Sequence, residues 1–322
     1  MSALSTRQQG CGPFTQRPVQ RWSLIGTRLP YALVRAVVLD AAGQAAIAEV
    51  PVPTGPGERV RVRACGLCGS DVEKLGRVGG VLGHEIEGRL DDGTRVTVVH
   101  RVPCGECDRC RAGHESTCAE FGVMRIDPGG FAEELRATHW LALPPSIGDG
   151  LGIWVEPLAC VVRGALGVPR GRVLVVGCGA VGQLWMQVLL RRGDEVVASD
   201  PRPDRRARAR ELGVLVDADA VDAAVITAPA GLNDALERVS PGGTVLLFAA
   251  PPELVPTALD AVYRKELSVI GSRSATLAAF RDAIELLPSL ELPAQTRLPL
   301  ERFVEGVELY RSGDALKVVF TP

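Results

Sequence analysis

The 322-residue sequence predicts an α/β protein in two parts, a mostly β region followed by a doubly wound parallel sheet. Three observations carry that reading. Short β-branched runs broken by Gly and Asp occupy residues 34–145. From about residue 165, apolar strands alternate with helical segments, the pattern of a parallel sheet with right-handed crossovers. The first of those strands runs into a glycine-rich turn, VLVVGCGAVG. Composition agrees: 46% hydrophobic and 23% charged residues exclude a disordered chain. With 7 Phe, 3 Tyr and 4 Trp, the core must be built mainly from Val, Leu, Ala and Ile. A formal charge of -2 calls for no nucleic-acid or anionic-membrane partner. No apolar run reaches the roughly 18 residues of a membrane span.

Residues 1–33 are polar and aperiodic, and are expected to form a loosely ordered arm, an appendage that packs, if at all, through Trp22 and Leu24. Without a secretory signal pattern, a reducing cytoplasm is the expected compartment. VRAVVLD (34–40) reads as the first strand, and QAAIAEVPVP as the next. In RVRVRACGLC, Val60, Val62 and Ala64 alternate with Arg61 and Arg63, the period of a half-exposed strand. Strands follow at EIEGRL, TRVTVVH and FAEELRA. Residues 157–169 read as a helix, ahead of the strand RVLVVG, the helix QLWMQVLLRRG, the strand EVVASD, the helix RPDRRARARELG, a strand hint at LVDA, the strand AAVITAP, the helix NDALERVS and the strand TVLLFAA. Two helical patterns, AAFRDAIELL and ERFVEGVELYRSG, and a terminal strand KVVFTP end the chain.

Gly177, Gly179 and Gly182 have the G-x-G-x-x-G spacing between a strand and a helix. Gly177 permits the tight turn, Gly179 leaves room for a pyrophosphate, and Gly182 lets helix and strand approach closely. The first N–H groups of the helix, around Ala180 and Val181, then face the phosphates. Asp200 ends the second strand, where a carboxylate accepts from a ribose diol and repels a 2′-phosphate, which favours NAD over NADP. Arg202, Arg205 and Arg206 leave NADP open, because a nearby Arg can hold that phosphate.

Four of the nine cysteines fall in CGECDRCRAGHESTC, at Cys104, Cys107, Cys110 and Cys118. Cys-x-x-Cys spacing wraps a loop around a tetrahedral zinc, and four protein ligands close the site, making it structural. An iron–sulfur cluster is the runner-up. His114 reads as an exposed spacer. A looser constellation joins CGLCGSD (65–71), GHE (83–85) and VEPLAC (155–160), where a thiolate, an imidazole and a carboxylate suit an open metal site. Its alternative is an ordinary core Cys68 with His84 and Glu85 at a strand edge. Cys65, Cys160 and Cys178 read as packed small residues, Trp154 and Trp185 as core, and His100 and His139 as structural or surface groups.

In their order along the chain, ACGLCGSD, LGHE, the four-cysteine loop, EPLAC, VLVVGCGAVG and ALKVVFTP make residues 34–322 resemble the zinc-containing medium-chain alcohol and polyol dehydrogenases, in the sorbitol, threonine and sugar dehydrogenase branch. The resemblance implies a GroES-like mostly β catalytic domain (34–160), a Rossmann domain binding NAD (161–280), and a C-terminal segment (281–322) that completes the catalytic domain. It implies two zinc ions per chain. Cys68 and His84 match the ligands of a catalytic zinc, Glu85 and Glu156 are alternative third ligands or contacts to its water, and the four-cysteine loop holds a structural zinc. It assigns Ser70 to the proton relay and Asp71 to orienting His84, and places Gly177, Gly179, Ala180, Val181, Gly182, Asp200 and Arg205 around the cofactor. The implied reaction moves hydride from the secondary alcohol of a polyol, sugar, cyclitol or amino-alcohol to NAD, in a homo-dimer or tetramer. Two departures stand out. The Cys68–His84 interval is shorter than is usual in the family, and Glu73 stands where many relatives carry a relay histidine. A primary-alcohol dehydrogenase and a non-catalytic NAD-binding protein are the competing readings. Loss of Cys68 or His84 would favour the latter, and both are present.

Overall fold

Short runs rich in Val, Ala and Leu make the first strands. In the computed structural model the described residues are 32–76, 79–216, 220–249 and 257–322; the expected arm, with Trp22, Leu24 and Cys11, falls outside them as far as residue 31. β1 (Leu33–Leu39) and β2 (Ala45–Pro51) form an antiparallel hairpin, and β1 and β2 bury Val34, Ala36 and Val50 against Ala132. β3 (Glu58–Gly66) has the expected period, with Val60, Val62 and Ala64 buried and Arg61 and Arg63 exposed. A single helical turn, α1 (Gly69–Val72), leads on to β4 (Glu85–Arg89) and β5 (Arg95–Val98), which pair antiparallel beside β3. A loop carrying α2 (Asp108–Arg111) precedes β6 (Ile126–Asp127), β7 (Glu134–Ala137) and β8 (Trp140–Ala142).

α3 (Val155–Ala165) leads to the second sheet. There β9 (Arg172–Val176), α4 (Ala180–Arg192), β10 (Glu195–Ser199), α5 (Pro203–Glu211), β11 (Leu215–Val216), β12 (Val221–Ile226), α6 (Leu232–Arg238), β13 (Val239–Leu247), α7 (Leu259–Arg264) and β14 (Ser268–Gly271) follow in turn. All six strands are parallel, in the order β11-β10-β9-β12-β13-β14. The strand order therefore reverses beside β9, and in such sheets ligands bind at the carboxyl ends of the strands flanking the reversal.

The chain then returns to the first sheet. α8 (Leu277–Leu286) is followed by β15 (Gln295–Pro299), α9 (Phe303–Ser312) and β16 (Lys317–Thr321). β16 pairs antiparallel with β3 and parallel with β15, giving the order β15-β16-β3-β4-β5-β8, with β7 joining β3 to β6. β14 and β15 were not anticipated from the sequence. β14 is an edge strand with no buried residue and only the Val269–Ile270 pair as its apolar signal, and of β15 only Leu298 is buried. The expected boundaries at 160 and 280 fall inside α3 and α8. These helices share one core, in which Leu158, Ala159 and Val161 lie with Trp185, Ala279, Phe280 and Ala283.

The return is fixed by aromatic packing. Phe131, Phe303 and Phe320 are buried with ring centres 5.0 to 5.4 Å apart. α9 lies flat on β16 because Gly306 has no Cβ; one there would stand 2.5 Å from the Phe320 ring. Phe320→Ala is expected to destabilise the protein by about 3–5 kcal/mol, as full aromatic truncations in cores do. Equilibrium denaturation checks this; a midpoint within error of the parent would contradict the packing described.

Candidate active site

The end of β9 turns sharply at Gly177, whose φ of +97° lies in the left-handed region. A Cβ on Gly182 would stand 1.8 Å from the Gly177 carbonyl oxygen, so α4 can begin this close to β9 only with glycine there. Gly179 caps α4, and a Cβ on it would meet only Arg205 Nη1, at 4.0 Å. The start of α4 is thus an open cradle of backbone N–H groups, the geometry that receives phosphate. Asp200 follows β10 and is buried. Its Oδ2 accepts from the Cys178 N–H at 2.7 Å and its Oδ1 from the Arg202 N–H at 2.9 Å, with Arg205 Nη1 3.9 Å from Oδ2. Arg202 and Arg205 also donate to the Gly313 carbonyl, at 3.0 and 3.4 Å, and Arg206 donates to the Asp200 carbonyl.

A cavity of about 450 Å³ brings these groups together with the first sheet. Gly177, Gly179, Ala180, Val181, Gly182, Asp200 and Arg205 all line it, as do Cys68, Glu85, Tyr310 and Lys317.

Cys68, His84 and Glu85 form a compact group whose candidate ligand atoms all lie within 4.8 Å of one another. Cys68 ends the bend after β3, and His84 and Glu85 enter β4. Asp71 ties the two segments together. Its Oδ2 accepts from the Cys68 N–H at 3.2 Å, and its Oδ1 takes the Gly83 N–H at 3.4 Å and His84 Nδ1 at 3.2 Å. That contact leaves His84 Nε2 as the ring's remaining ligand atom. Burial alone would lower the affinity of His84 for a proton, yet the Asp71 carboxylate holds its pKa well above the ordinary value. Burial likewise disfavours the charged form of Asp71, and the His84 ring outweighs it, keeping the carboxyl below its usual range. A thiolate, an imidazole and a carboxylate at this separation fit a zinc ion, which takes all three ligand types. Ser70 stands at the same point, its hydroxyl donating to Cys68 Sγ at 3.5 Å.

Glu156 lies outside that compact group. It sits in the first turn of α3, where its Oε1 accepts from the Cys160 thiol at 3.5 Å, and burial raises its pKa against the pull of His84. Glu73 is exposed at the end of α1. Cys65 and Cys178 are buried, as are Trp154 and Trp185, while His114 is exposed.

The four-cysteine loop closes on itself. Sγ–Sγ distances are 3.5 Å for Cys107–Cys110, 3.6 Å for Cys104–Cys118 and 3.9 Å for Cys104–Cys110. Four sulfurs about 2.3 Å from one zinc ion stand about 3.8 Å apart at the tetrahedral angle, so the loop fits the ion. Cys104 and Cys107 add backbone N–H groups 3.4 Å from the sulfurs of Cys118 and Cys104. The Cys104 N–H leads in lowering the Cys118 thiol to about 6, whereas desolvation leads in raising Cys110 to about 12. As thiols the four sulfurs pack at van der Waals distance; ionised together, they would need a cation such as zinc between them.

Three groups at the site escaped the sequence reading of roles. Lys317, at the start of β16, is buried and pairs with Glu85 Oε2; its Nζ also donates to the Leu67 carbonyl at 3.2 Å and lies 5.4 Å from the centre of the Trp154 ring. His100 is buried with its ring centre 4.8 Å from that of His84, and among the described residues its Nδ1 has no hydrogen-bond partner. Tyr310 lines the cavity from α9, its phenol pushed up to about 12, chiefly by burial. None belongs to a local ligand motif. The one available signal was a lysine inside the otherwise apolar strand KVVF.

Known proteins share this architecture. The family described as alcohol dehydrogenase GroES-like domain matches residues 56–146. D-altritol 5-dehydrogenase of Agrobacterium fabrum is 30% identical over 309 residues, covering 80% of this chain and 92% of that protein. Sorbitol dehydrogenase of Halalkalibacterium halodurans is 28% identical, covering 87% and 96%. A solved structure described as a zinc-binding dehydrogenase from Sinorhizobium meliloti 1021, bound to NADP, superposes with a TM-score of 0.79 at 25% identity, covering 90% of this chain and 100% of that one.

Lys317→Met would leave Glu85 as a buried charge without its partner, at an expected cost of about 3–5 kcal/mol. Burial alone would lower the Lys317 pKa, but Glu85, with Cys68 and Glu156 behind it, outweighs burial and raises it, so the lysine's contribution is complete at neutral pH and is lost only as pH rises through the raised value. Urea denaturation at pH 7 checks this; a variant as stable as the parent would contradict it.

Proposed function

The chain belongs to the zinc-containing medium-chain alcohol and polyol dehydrogenase family, and on that premise we propose that it oxidises the secondary alcohol of a polyol, sugar, cyclitol or amino-alcohol to a ketone, with NAD as the hydride acceptor and two zinc ions per chain. The observation that carries the reading is the single cavity lined both by the glycine turn with Asp200 and by Cys68 and Glu85. A dinucleotide held by the first group of residues reaches the second, where a metal-bound substrate would have to lie.

Cys68 and His84 hold the catalytic zinc, with Glu85 as the third protein group; the compact grouping of these three favours Glu85 over Glu156. When bound, zinc supplies Lewis acidity that makes the substrate hydroxyl a stronger acid, and the nicotinamide ring supplies the hydride acceptor. Asp71 accepts from His84 Nδ1–H, fixing the tautomer that leaves Nε2 for the metal. Ser70 takes up the hydroxyl proton and passes it outward, and exposed Glu73 hands it to water. Cys104, Cys107, Cys110 and Cys118 hold the structural zinc. The N–H groups at the start of α4 bind the pyrophosphate, and Asp200 accepts from the adenosine ribose.

NAD is favoured because the arginines around Asp200 already have partners within the protein: Arg202 with Asp204 and Gly313, Arg205 with Gly313 and the Asp200 carboxylate, and Arg206 with the Asp200 carbonyl. NADP is the second reading, since among the described residues the buried Nε of Arg205 has no hydrogen-bond partner and the Sinorhizobium relative holds NADP. This reading divides the chain into a catalytic domain (34–160), a cofactor domain (161–280) and a segment completing the first (281–322), in a cytoplasmic homo-oligomer. Among the described residues no helix is long and apolar enough to cross a membrane.

The test is an NAD-reduction screen over polyols, aminocyclitols, amino acids and simple alcohols, run with the parent protein and Cys68→Ser, with NAD and NADP titrated side by side. The expected result is turnover of a secondary alcohol with NAD and a loss of at least about a hundredfold in the variant, whose ligand set is broken. Full turnover by Cys68→Ser overturns the metal assignment. Turnover only of primary alcohols overturns the substrate class, and tighter NADP binding overturns the reading of Asp200.

A further inference from the structure

We propose that Tyr310 is a further cofactor-binding residue, its hydroxyl donating a hydrogen bond to an oxygen of the nicotinamide–ribose half of the dinucleotide. The inference rests on the cavity reading above and goes beyond it by naming a contact on the reactive half of the cofactor.

The argument starts from α9. Gly306 seats that helix on Phe320, and Phe303 locks into the aromatic group with Phe131, so the position of Tyr310 one turn later is set by the core. Part of the Tyr310 ring packs with the first core, beside Leu309 and Leu67. Its hydroxyl leaves that core and comes up against Gly69, where an added Cβ would stand 2.7 Å from the oxygen. Gly69 directly follows Cys68, and both line the cavity with Tyr310. The phenol is therefore on the metal-group side of the cavity. Among the described residues its hydroxyl has no hydrogen-bond partner. A partly buried tyrosine that leaves its O–H unpaired in this way is placed to meet a ligand.

The rest of the cavity decides which part of the ligand that is. The α4 N-terminus takes the pyrophosphate and Asp200 the adenosine ribose, so the lining around Cys68, Gly69 and Glu85 is left for the nicotinamide and its ribose. Tyr310 is a donor at neutral pH, because a phenol ionises only near 10. The ribose hydroxyls and the carboxamide oxygen are the acceptors of that half. Gly313, which ends α9 in the left-handed conformation, offers its carbonyl to Arg202 and Arg205 beside Asp200. One short segment thus serves both halves of the cofactor.

The test is Tyr310→Phe in the zinc-loaded full chain, titrated by fluorescence with NADH and, by competition, with ADP, which lacks both the nicotinamide and its ribose. The Phe variant keeps the ring packing and removes only the hydroxyl. The expected result is an NADH Kd raised about three- to tenfold, the worth of one uncharged hydrogen bond, with the ADP Kd and the thermal midpoint unchanged. An unchanged NADH Kd overturns the inference. Equal weakening of both ligands overturns it as well, by making Tyr310 a structural residue only. A parent protein that binds neither ligand overturns the cavity reading itself, a failure distinct from that of the tyrosine.

Discussion

Glu85 and Lys317 open β4 and β16, and their buried ion pair is the contact around which the rest is arranged. Two charges that are 2% and 4% exposed can be tolerated there only together, since either alone is costly to bury. The pair brings the last strand of the chain onto the first sheet beside β3. It also requires glycine at 66, because a Cβ there would stand 2.1 Å from Glu85 Oε2 and 2.9 Å from Lys317 Cε. Beyond Lys317, β16 delivers Phe320 to the aromatic group that seats α9. On the other side, the same carboxylate stands within the Cys68–His84 group. A stabilising contact and a candidate ligand are therefore one residue.

The second sheet contributes through backbone rather than side chains. Gly177 and Gly182 allow β9 and α4 to approach so closely that the first N–H groups of the helix face open space. Asp200 reinforces the turn by accepting the Cys178 N–H, so the acid expected to meet a ribose also holds the shape of the phosphate cradle. The arginines after Asp200 reach across to Gly313, just ahead of Lys317. The two sheets meet through that short C-terminal stretch and through the core that Ala64 and Val319 share with α3, α4 and β9.

Most of this plan was legible in the sequence because its signals are local. The period of two in β3, the G-x-G-x-x-G turn and the spacing of Cys104, Cys107, Cys110 and Cys118 each depend on residues close in the chain. Among the elements that were missed, β15 is polar but for Leu298, β14 is an exposed edge with only Val269 and Ile270 apolar, and β6 and β8 are two and three residues long. The roles of Lys317, Tyr310 and His100 depend on contacts across hundreds or tens of residues. Lys317, for instance, meets a carboxylate 232 positions earlier. Glu156 shows the reverse case. Its motif was readable, but the turn of α3 that carries it brings its carboxylate to Cys160, outside the candidate group of Cys68, His84 and Glu85.

The central claim is that Cys68 and His84 hold a metal on the wall of the cavity that the glycine turn also lines. Anomalous diffraction from crystals of the protein, collected on either side of the zinc absorption edge, tests it most directly. The account predicts two peaks per chain, one within bonding distance of Cys68 Sγ and His84 Nε2 and the other amid the sulfurs of Cys104, Cys107, Cys110 and Cys118. A zinc-replete protein with a peak only in the four-cysteine loop would contradict it.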